Sequence, residues 1–177
     1  KTKNTKHSNN AYQLEEAINN LDRKITDYLV NLATSSLSEH ESEEHSMLID
    51  TVRDIERIGD HFENIIELIE YQQANKVKIT DTAMEDLEVM FNLTVSTVEE
   101  ALQALDQKNF DAARAVVTKE DEIDSMERTL RKQHILRMNE GQCTGQAGIV
   151  FVDIISNLER IGDHAVNIAE YVLGEQK

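Results

Sequence analysis

The chain has 177 residues, no proline, no tryptophan, six glycines and a formal net charge of −16. The absence of proline argues against a fold of many short strands and turns, so long helices packed through aliphatic side chains are expected. A chain this acidic, without a basic stripe, is not expected to bind nucleic acid, whereas cations or a basic partner surface would be attracted. Cys143 stands alone, which excludes an intramolecular disulfide framework and a cysteine-based zinc cluster.

The first 73 residues predict a linker followed by two helices. Residues 1–10 are polar and basic and read as a linker, in which Asn9 or Asn10 would cap the first helix. Apolar residues then recur at helical spacing from Leu14 to Leu32. A polar connection over 34–45 leads to a second helix at about 44–73, and the two helices make a first unit over residues 11–73.

The remainder of the chain predicts three more helices. Thr80 and Asp81 are plausible capping residues after a short linker over 74–80, and Gly174 is a suitable C-cap for the last helix. The second unit is expected over 81–174, with helices at about 81–107, 110–138 and 149–173 and a tight turn at 108–109. The glycine-containing stretch 139–148 is expected to be a loop or the start of the last helix. The longest apolar run, 147–152, is far shorter than the roughly 20 residues that cross a bilayer.

The clearest internal signal is a duplication. Residues 56–61 and 159–164 both read Glu-Arg-Ile-Gly-Asp-His, and a weaker similarity aligns residues 15–19 with 120–124. The second unit therefore has one helix more than the first, which lacks an opening helix. Because one such unit buries its apolar face poorly alone, we expect two helical sub-bundles side by side around a pseudo-twofold axis.

The repeated segment places acids together on helix faces. Glu56 and Asp60 are one turn apart, as are Glu159 and Asp163, and such like-charged pairs destabilise a helix by roughly 0.2–0.5 kcal/mol. A compensating cation would offset that repulsion. The preceding helix of the second unit adds two more acids if it packs antiparallel to the last helix, and these are Glu120 and Asp124.

Two interpretations of these acids stay open. Oxygen ligands at this density suit iron, manganese, magnesium or calcium, and zinc where a histidine joins. Acidic helix faces are usually only solvated, however, and Arg57 or Arg160 would neutralise them without metal. Three further side chains are expected outside any primary ligand set: His61 and His164, which point about 100° away from the acids, and His134, a lone surface histidine. Cys143 is expected to be inert or surface-exposed.

The segment 157–170 resembles the signature helix of PhoU-type phosphate-uptake regulators, and segments 54–67 and 120–124 are similar to other parts of that motif. The resemblance implies two repeated three-helix bundles that carry multinuclear iron or zinc clusters. It implies one site formed by Glu159, Asp163, Glu120 and Asp124, and another formed by Glu56, Asp60 and Glu15. Asn19 stands where the motif expects an acid, so the first site is expected to be poorer or empty.

A basic opening followed by an incomplete first unit is similar to the cytoplasmic tail of bacterial sodium/phosphate symporters. The resemblance implies a non-catalytic, cytoplasmic regulator of phosphate uptake, tethered to the inner face of the membrane through a transporter. It would bind metal and dock on a phosphate transporter, its sensor kinase or a second copy of itself. The alternatives are a metal-free structural adaptor and a di-metal carboxylate oxidase, although the histidine spacing does not match the Glu-x-x-His pairs of such oxidases.

Overall fold

A computed structural model describes residues 2–33 and 37–174, with side chains from residue 8 onward. Within these residues the chain is all-helical, as expected, and contains no strand. The five helices are α1 (Thr2–Leu32), α2 (Glu39–Ala74), α3 (Asp81–Gln107), α4 (Phe110–Asn139) and α5 (Gly145–Leu173).

Side-chain caps define most of the helix ends. The hydroxyls of Thr80 and Thr144 accept backbone hydrogen bonds from the first turns of α3 and α5, and Asn109 does the same for α4. Ser38 and Glu41 form a reciprocal capping box at the start of α2. Gly174 ends α5 in the left-handed conformation at φ 72°, which confirms the predicted C-cap.

Three predicted helix starts are wrong. The helix α1 already includes residues 2–10, so the cap expected at Asn9 or Asn10 does not exist and this stretch is helical instead of an irregular linker. Polarity misled the interpretation there, because residues 2–10 contain neither proline nor glycine to break a helix. The helix α2 begins at Glu39 instead of Glu44, and α5 begins at Gly145 instead of Ile149.

The helix α5 is the central element of the fold. It packs against α2, α3 and α4, whereas α1 packs against α2. Its buried face supplies much of the core, and the largest fully buried side chains are Phe151, Met90, Ile123, Ile155, Leu158 and Ile161. The second unit is thus a three-helix bundle of α3, α4 and α5, joined to the first unit through α2.

The first unit has an apolar groove on α1 and α2, on the side where the duplication provides no counterpart of α3. The groove encloses about 400 Å³ and is lined mainly by aliphatic side chains of α1 and α2, with two residues of α3 at its edge. Leu14 on α1 is 67% exposed. Ile55 is partly buried, whereas its counterpart Leu158 is 1% exposed beneath the additional helix of the second unit. The repeats therefore differ in how completely their cores are covered.

Gly59 and Gly162 occupy equivalent positions in the two repeats, but substitution by alanine is expected to have opposite effects on stability at the two positions. A Cβ atom at Gly162 would lie 3.2 Å from Cδ1 of Ile123, which is fully buried, whereas one at Gly59 would lie 3.3 Å from Cδ1 of Ile18 beside the open groove. Ile18 has room to shift. Gly59→Ala is therefore expected to stabilise the protein by up to about 1 kcal/mol through helix propensity, whereas Gly162→Ala overpacks the core and destabilises it by about 1–3 kcal/mol.

Urea unfolding of the two variants beside wild type measures this difference. Equal shifts of the unfolding midpoint in the same direction would show that the two glycines do not differ in packing.

Candidate metal centre

Three carboxylates from two helices converge where α4 crosses α5. Glu120 and Asp124 are one turn apart on α4, and Asp163 faces them from α5. One oxygen from each of the three lies within 4.8 Å of the other two. The neighbouring residues explain this approach, because Gly162 lets α5 come close to Ile123, the residue before Asp124. In the described part of the chain, three of the four acids expected from these two helices thus converge, and Glu159 is not among the three.

The electrostatics of the cluster show carboxylates under mutual repulsion. Burial, followed by the negative charges of Asp124 and Asp163, raises the pKa of Glu120 to about 7. The pKa of Asp163 is raised by burial and by Asp124, and that of Glu159 is raised by burial and by Asp163. Glu159 therefore belongs to the same electrostatic cluster as the three converging oxygens. A bound cation would relieve this repulsion.

One cluster residue already has a protein cation beside it. Arg128 donates from Nη1 to Oδ2 of Asp124 at 3.1 Å, although the arginine side chain is 64% exposed. Sequence reasoning did not include Glu127, a buried carboxylate held by Arg131, whose charge contributes to the raised pKa of Glu159. Glu127 lies seven residues, about two helical turns, after Glu120. This spacing places both residues on the same helix face and could have predicted that Glu127 lies near the cluster.

The candidate site of the first unit is organised differently. Asp60 accepts a hydrogen bond from Nη1 of Arg57 at 3.2 Å, and Nε of the same arginine lies 3.6 Å from Glu56. The amide of Asn19 donates to Glu15. Burial, followed by the charge of Asp60, raises the pKa of Glu56. In the described part of the chain, no three ligand oxygens of this unit meet as closely as those of the second cluster. The acids of this unit are instead paired with the guanidinium group of Arg57 and the amide of Asn19.

The two repeated histidines meet at the α2–α5 interface. The rings of His61 and His164 stack with centroids 5.6 Å apart. The Nδ1 atom of His164 lies 2.8 Å from Oδ1 of Asp54, and that of His61 lies 2.9 Å from Oδ1 of Asn157. Asp54 and Asn157 are equivalent positions of the repeat, so the contact is reciprocal. These Nδ1 atoms are engaged in joining the two units.

Asp54 is the buried centre of this interface and was not predicted. It is 7% exposed and accepts hydrogen bonds from Nδ2 of Asn167 at 3.1 Å and from the hydroxyl of Tyr171 at 3.0 Å. Burial and the charge of Asp54 raise the pKa of Tyr171. Asn64 makes the counterpart of the Asn167 contact, to Asn157 at 3.3 Å. The asparagines that follow the repeated acids therefore join the units and do not extend the carboxylate cluster.

The structure is a helical domain with an internal duplication and a carboxylate cluster between two helices. Comparison with known proteins shows to which family such a domain belongs. The profile of the family described as "PhoU domain" matches residues 1–69 and 87–172. The chain belongs to this family.

Relatives and solved structures agree with that assignment. A protein of Thermotoga maritima named as a phosphate-specific transport system accessory protein, PhoU homolog 1, is 34% identical over 68% of this chain, and the chain spans about half (51%) of that relative. A PhoU homolog of Xylella fastidiosa is 29% identical over 92% of the chain and 69% of its own length. The crystal structure of PhoU from Pseudomonas aeruginosa matches 94% of the chain and 79% of its own, with a TM-score of 0.85 at 21% identity, which supports the fold.

Among the described residues, no helix is long and apolar enough to cross a membrane.

The structure also tests the predictions for two side chains outside the cluster, His134 and Cys143. His134 is buried at 1% exposure and is not a surface residue. Cys143 lies partly buried beside it, with Sγ 3.7 Å from Nε2 of His134. A lone histidine in a polar segment gave no signal of burial, because Phe151, on which its ring stacks, lies in another helix.

The repulsion at Glu120 predicts a pH-dependent stability of the metal-free protein. Its folded-state pKa of about 7 is above the ordinary value of 4.5, so the folded protein holds more protons than the unfolded chain between these values. The contribution of Glu120 to the free energy of unfolding therefore falls as the pH rises through this window. Glu120→Gln is expected to raise the urea midpoint more at about pH 8 than at about pH 5.

Glu122→Gln, an exposed change on the same helix, is the matched control. Measurements with a chelator present keep both proteins metal-free. An equal midpoint shift for Glu120→Gln at both pH values would contradict the raised pKa of Glu120, which burial and the neighbouring carboxylates together produce.

Proposed function

We propose that this domain regulates phosphate transport without catalysing a reaction, by binding a metal ion at the α4–α5 carboxylate cluster and by docking on a partner protein. The observation that supports metal binding is the convergence of Glu120, Asp124 and Asp163. The pKa values of Glu120 and Asp163 are raised. Membership of the PhoU family supports the regulatory role, since its relatives are named as accessory proteins of phosphate transport.

The donor set favours iron over zinc. Of the two metals that the family resemblance implies, zinc usually has histidine or cysteine among its ligands, whereas the converging ligands here are carboxylate oxygens alone. The same oxygens would also suit manganese, magnesium or calcium. The Nδ1 atoms of the nearby His61 and His164 are occupied at the interface between the units. Glu120, Asp124 and Asp163 would hold the ion, and the exposed side of the cluster would admit a ligand from a partner. The bound ion would supply positive charge for docking and would also stabilise the α4–α5 contact.

The proposed partner is a phosphate transporter or its sensor kinase, and the proposed parent protein is a sodium/phosphate symporter that holds the domain at the cytoplasmic face of the membrane. A formal net charge of −16 favours a basic docking surface and disfavours contact with anionic lipid. A second copy of the chain would meet the same unfavourable charge, so a homodimer would need a specific contact or a shared metal ion.

The alternative is a helical adaptor that needs no metal. The first unit favours this reading, because Arg57 and Asn19 already provide donors to its acids. The contact between Arg128 and Asp124 is the corresponding observation in the second unit. Metal analysis separates the two functions.

Iron content is expected to depend on the second cluster and not on its counterpart in the first unit. Wild type, Asp163→Asn and the matched Asp60→Asn variant would be reconstituted with ferrous iron, desalted and analysed by mass spectrometry. We expect iron to be retained by wild type and Asp60→Asn, and to be lost by Asp163→Asn, because the last variant removes a carboxylate from the converging set.

The same variants distinguish the outcomes. Equal iron in all three proteins would contradict binding at the cluster, and no iron in any of them would favour the adaptor. Stoichiometric zinc with no iron would keep the site and correct the metal. Circular dichroism confirms that each variant remains helical.

A regulatory role predicts a phenotype in the complete protein. Asp163→Asn, introduced into the parent chain in cells, is expected to change the rate of phosphate uptake relative to wild type, whereas Asp60→Asn has a smaller effect. Uptake of radiolabelled phosphate at equal protein abundance measures this. Unchanged uptake after removal of the whole domain would contradict the regulatory function.

A further inference from the structure

We propose that His134, Met138 and Cys143 form a second, soft-metal site at the end of the molecule where α4 turns into α5, and that its ligand is monovalent copper. This site shares no residue with the carboxylate cluster and uses different donor chemistry.

Three donor atoms from one helix and one turn come together there. His134 and Met138 are four residues apart on α4 and so lie on the same face of the helix. Cys143 belongs to the turn between α4 and α5, and its Sγ atom lies 3.7 Å from Nε2 of His134. The imidazole nitrogen thus lies close to the thiol sulfur, and the methionine that carries the thioether sulfur lies on the same face of α4 as His134.

Gly148 in the first turns of α5 creates the space for the thioether. A Cβ atom at this position would collide with Sδ of Met138 and would lie 3.5 Å from Nε2 of His134. Both donor atoms therefore face the bare backbone of the same glycine. Gly148 lies within α5, one residue before the helix start predicted at about residue 149, and the contact with Met138 provides a reason for a glycine at this point.

The distance between the sulfur and the nitrogen fits two ligands of one metal ion. Metal–sulfur and metal–nitrogen bonds of about 2.3 Å and 2.1 Å, set at a tetrahedral angle, separate the two donor atoms by about 3.6 Å. The observed separation is 3.7 Å. It is also a long hydrogen bond between a thiol and an imidazole, so the experiment below includes a simple hydrogen-bonded pair as an outcome.

The state of His134 supports a ligand role. Its side chain is 1% exposed, and in the described part of the chain its Nδ1 atom has no hydrogen-bond partner. Burial, followed by the charge of Arg137, lowers the pKa of the imidazole, which favours the neutral ring that a metal ligand requires. Coordination through Nε2 requires the tautomer with the proton on Nδ1. The ring is fixed by stacking on Phe151, with centroids 4.3 Å apart.

The donor set and the surrounding charge favour monovalent copper. Thioether and thiolate sulfur are soft ligands, which select copper(I) over magnesium, calcium or manganese. Arg137 lies beside the cluster, held by Asp86 at 2.5 Å. This cation disfavours a second positive charge, and a copper(I)–thiolate pair adds none. On binding, the thiol loses its proton to solvent, a copper–sulfur bond forms, and no electron is transferred.

The test is an anaerobic copper(I) titration in competition with a coloured copper(I) chelator. Four proteins would be compared: wild type, Cys143→Ser, Met138→Leu and the control Met47→Leu, which changes a methionine near the start of α2. Wild type and the control are expected to retain one copper(I) per chain. Cys143→Ser and Met138→Leu are expected to bind at least about tenfold more weakly.

Alkylation of Cys143 provides a second readout on the same samples. One equivalent of copper(I) is expected to slow alkylation in wild type and in Asp163→Asn, the variant that alters the carboxylate cluster. In Met138→Leu this protection is expected to be weaker. Circular dichroism verifies that each variant is folded, and Met138→Leu keeps the volume of the side chain while removing its sulfur.

The proposal would be overturned if wild type failed to compete with the chelator, which would leave the thiol and imidazole as a hydrogen-bonded pair. It would also be overturned if Cys143→Ser and Met138→Leu both bound copper as tightly as wild type. Loss of copper in Asp163→Asn but not in Cys143→Ser would assign the binding to the carboxylates instead.

Discussion

The close contact between α4 and α5 at Gly162 is the constraint on which the candidate metal centre depends. The absence of a side chain there lets Ile123 pack directly on the backbone of α5. The next residues along each helix, Asp124 and Asp163, are consequently brought together with Glu120. The apolar contact is buried, whereas the carboxylates lie at its edge, within reach of solvent and a cation. Packing energy thus holds like charges at a distance that they would not adopt alone.

The duplication produced two units with the same helix motif and different surroundings. In the second unit α3 completes the core, and Glu120, Asp124 and Asp163 converge. Of these three acids, Asp124 has an arginine partner, Arg128. In the first, an apolar groove remains open, Asn19 replaces an acid and donates to Glu15, and Arg57 contacts Glu56 and Asp60. At the interface Asp54 is matched by Asn157, which keeps the contacts to the histidines and removes one negative charge. The first two differences favour cation binding in the second unit, whereas the charge at the interface belongs to the first.

The sequence predicted the helical architecture well because its signals are local and periodic. The apolar spacing, the absence of proline and the cap at Gly174 predict α3 and α4 to within one residue at each end, and the C-terminal ends of α2 and α5 equally well. The pairing of Glu120 and Asp124 with Asp163 followed from the repeat and an antiparallel packing assumption. The buried positions of Asp54 and His134 were missed because they depend on partners such as Tyr171 and Phe151 in other helices. The helical start of α1 was missed because its residues carry no apolar periodicity.

Anomalous X-ray scattering from crystals of the iron-loaded protein tests most directly whether a metal ion binds between α4 and α5. Data collected at the iron absorption edge are predicted to show a peak among the carboxylates of Glu120, Asp124 and Asp163. A peak only beside Glu56 and Asp60, or no peak in crystals of protein that carries stoichiometric iron in solution, would contradict the account.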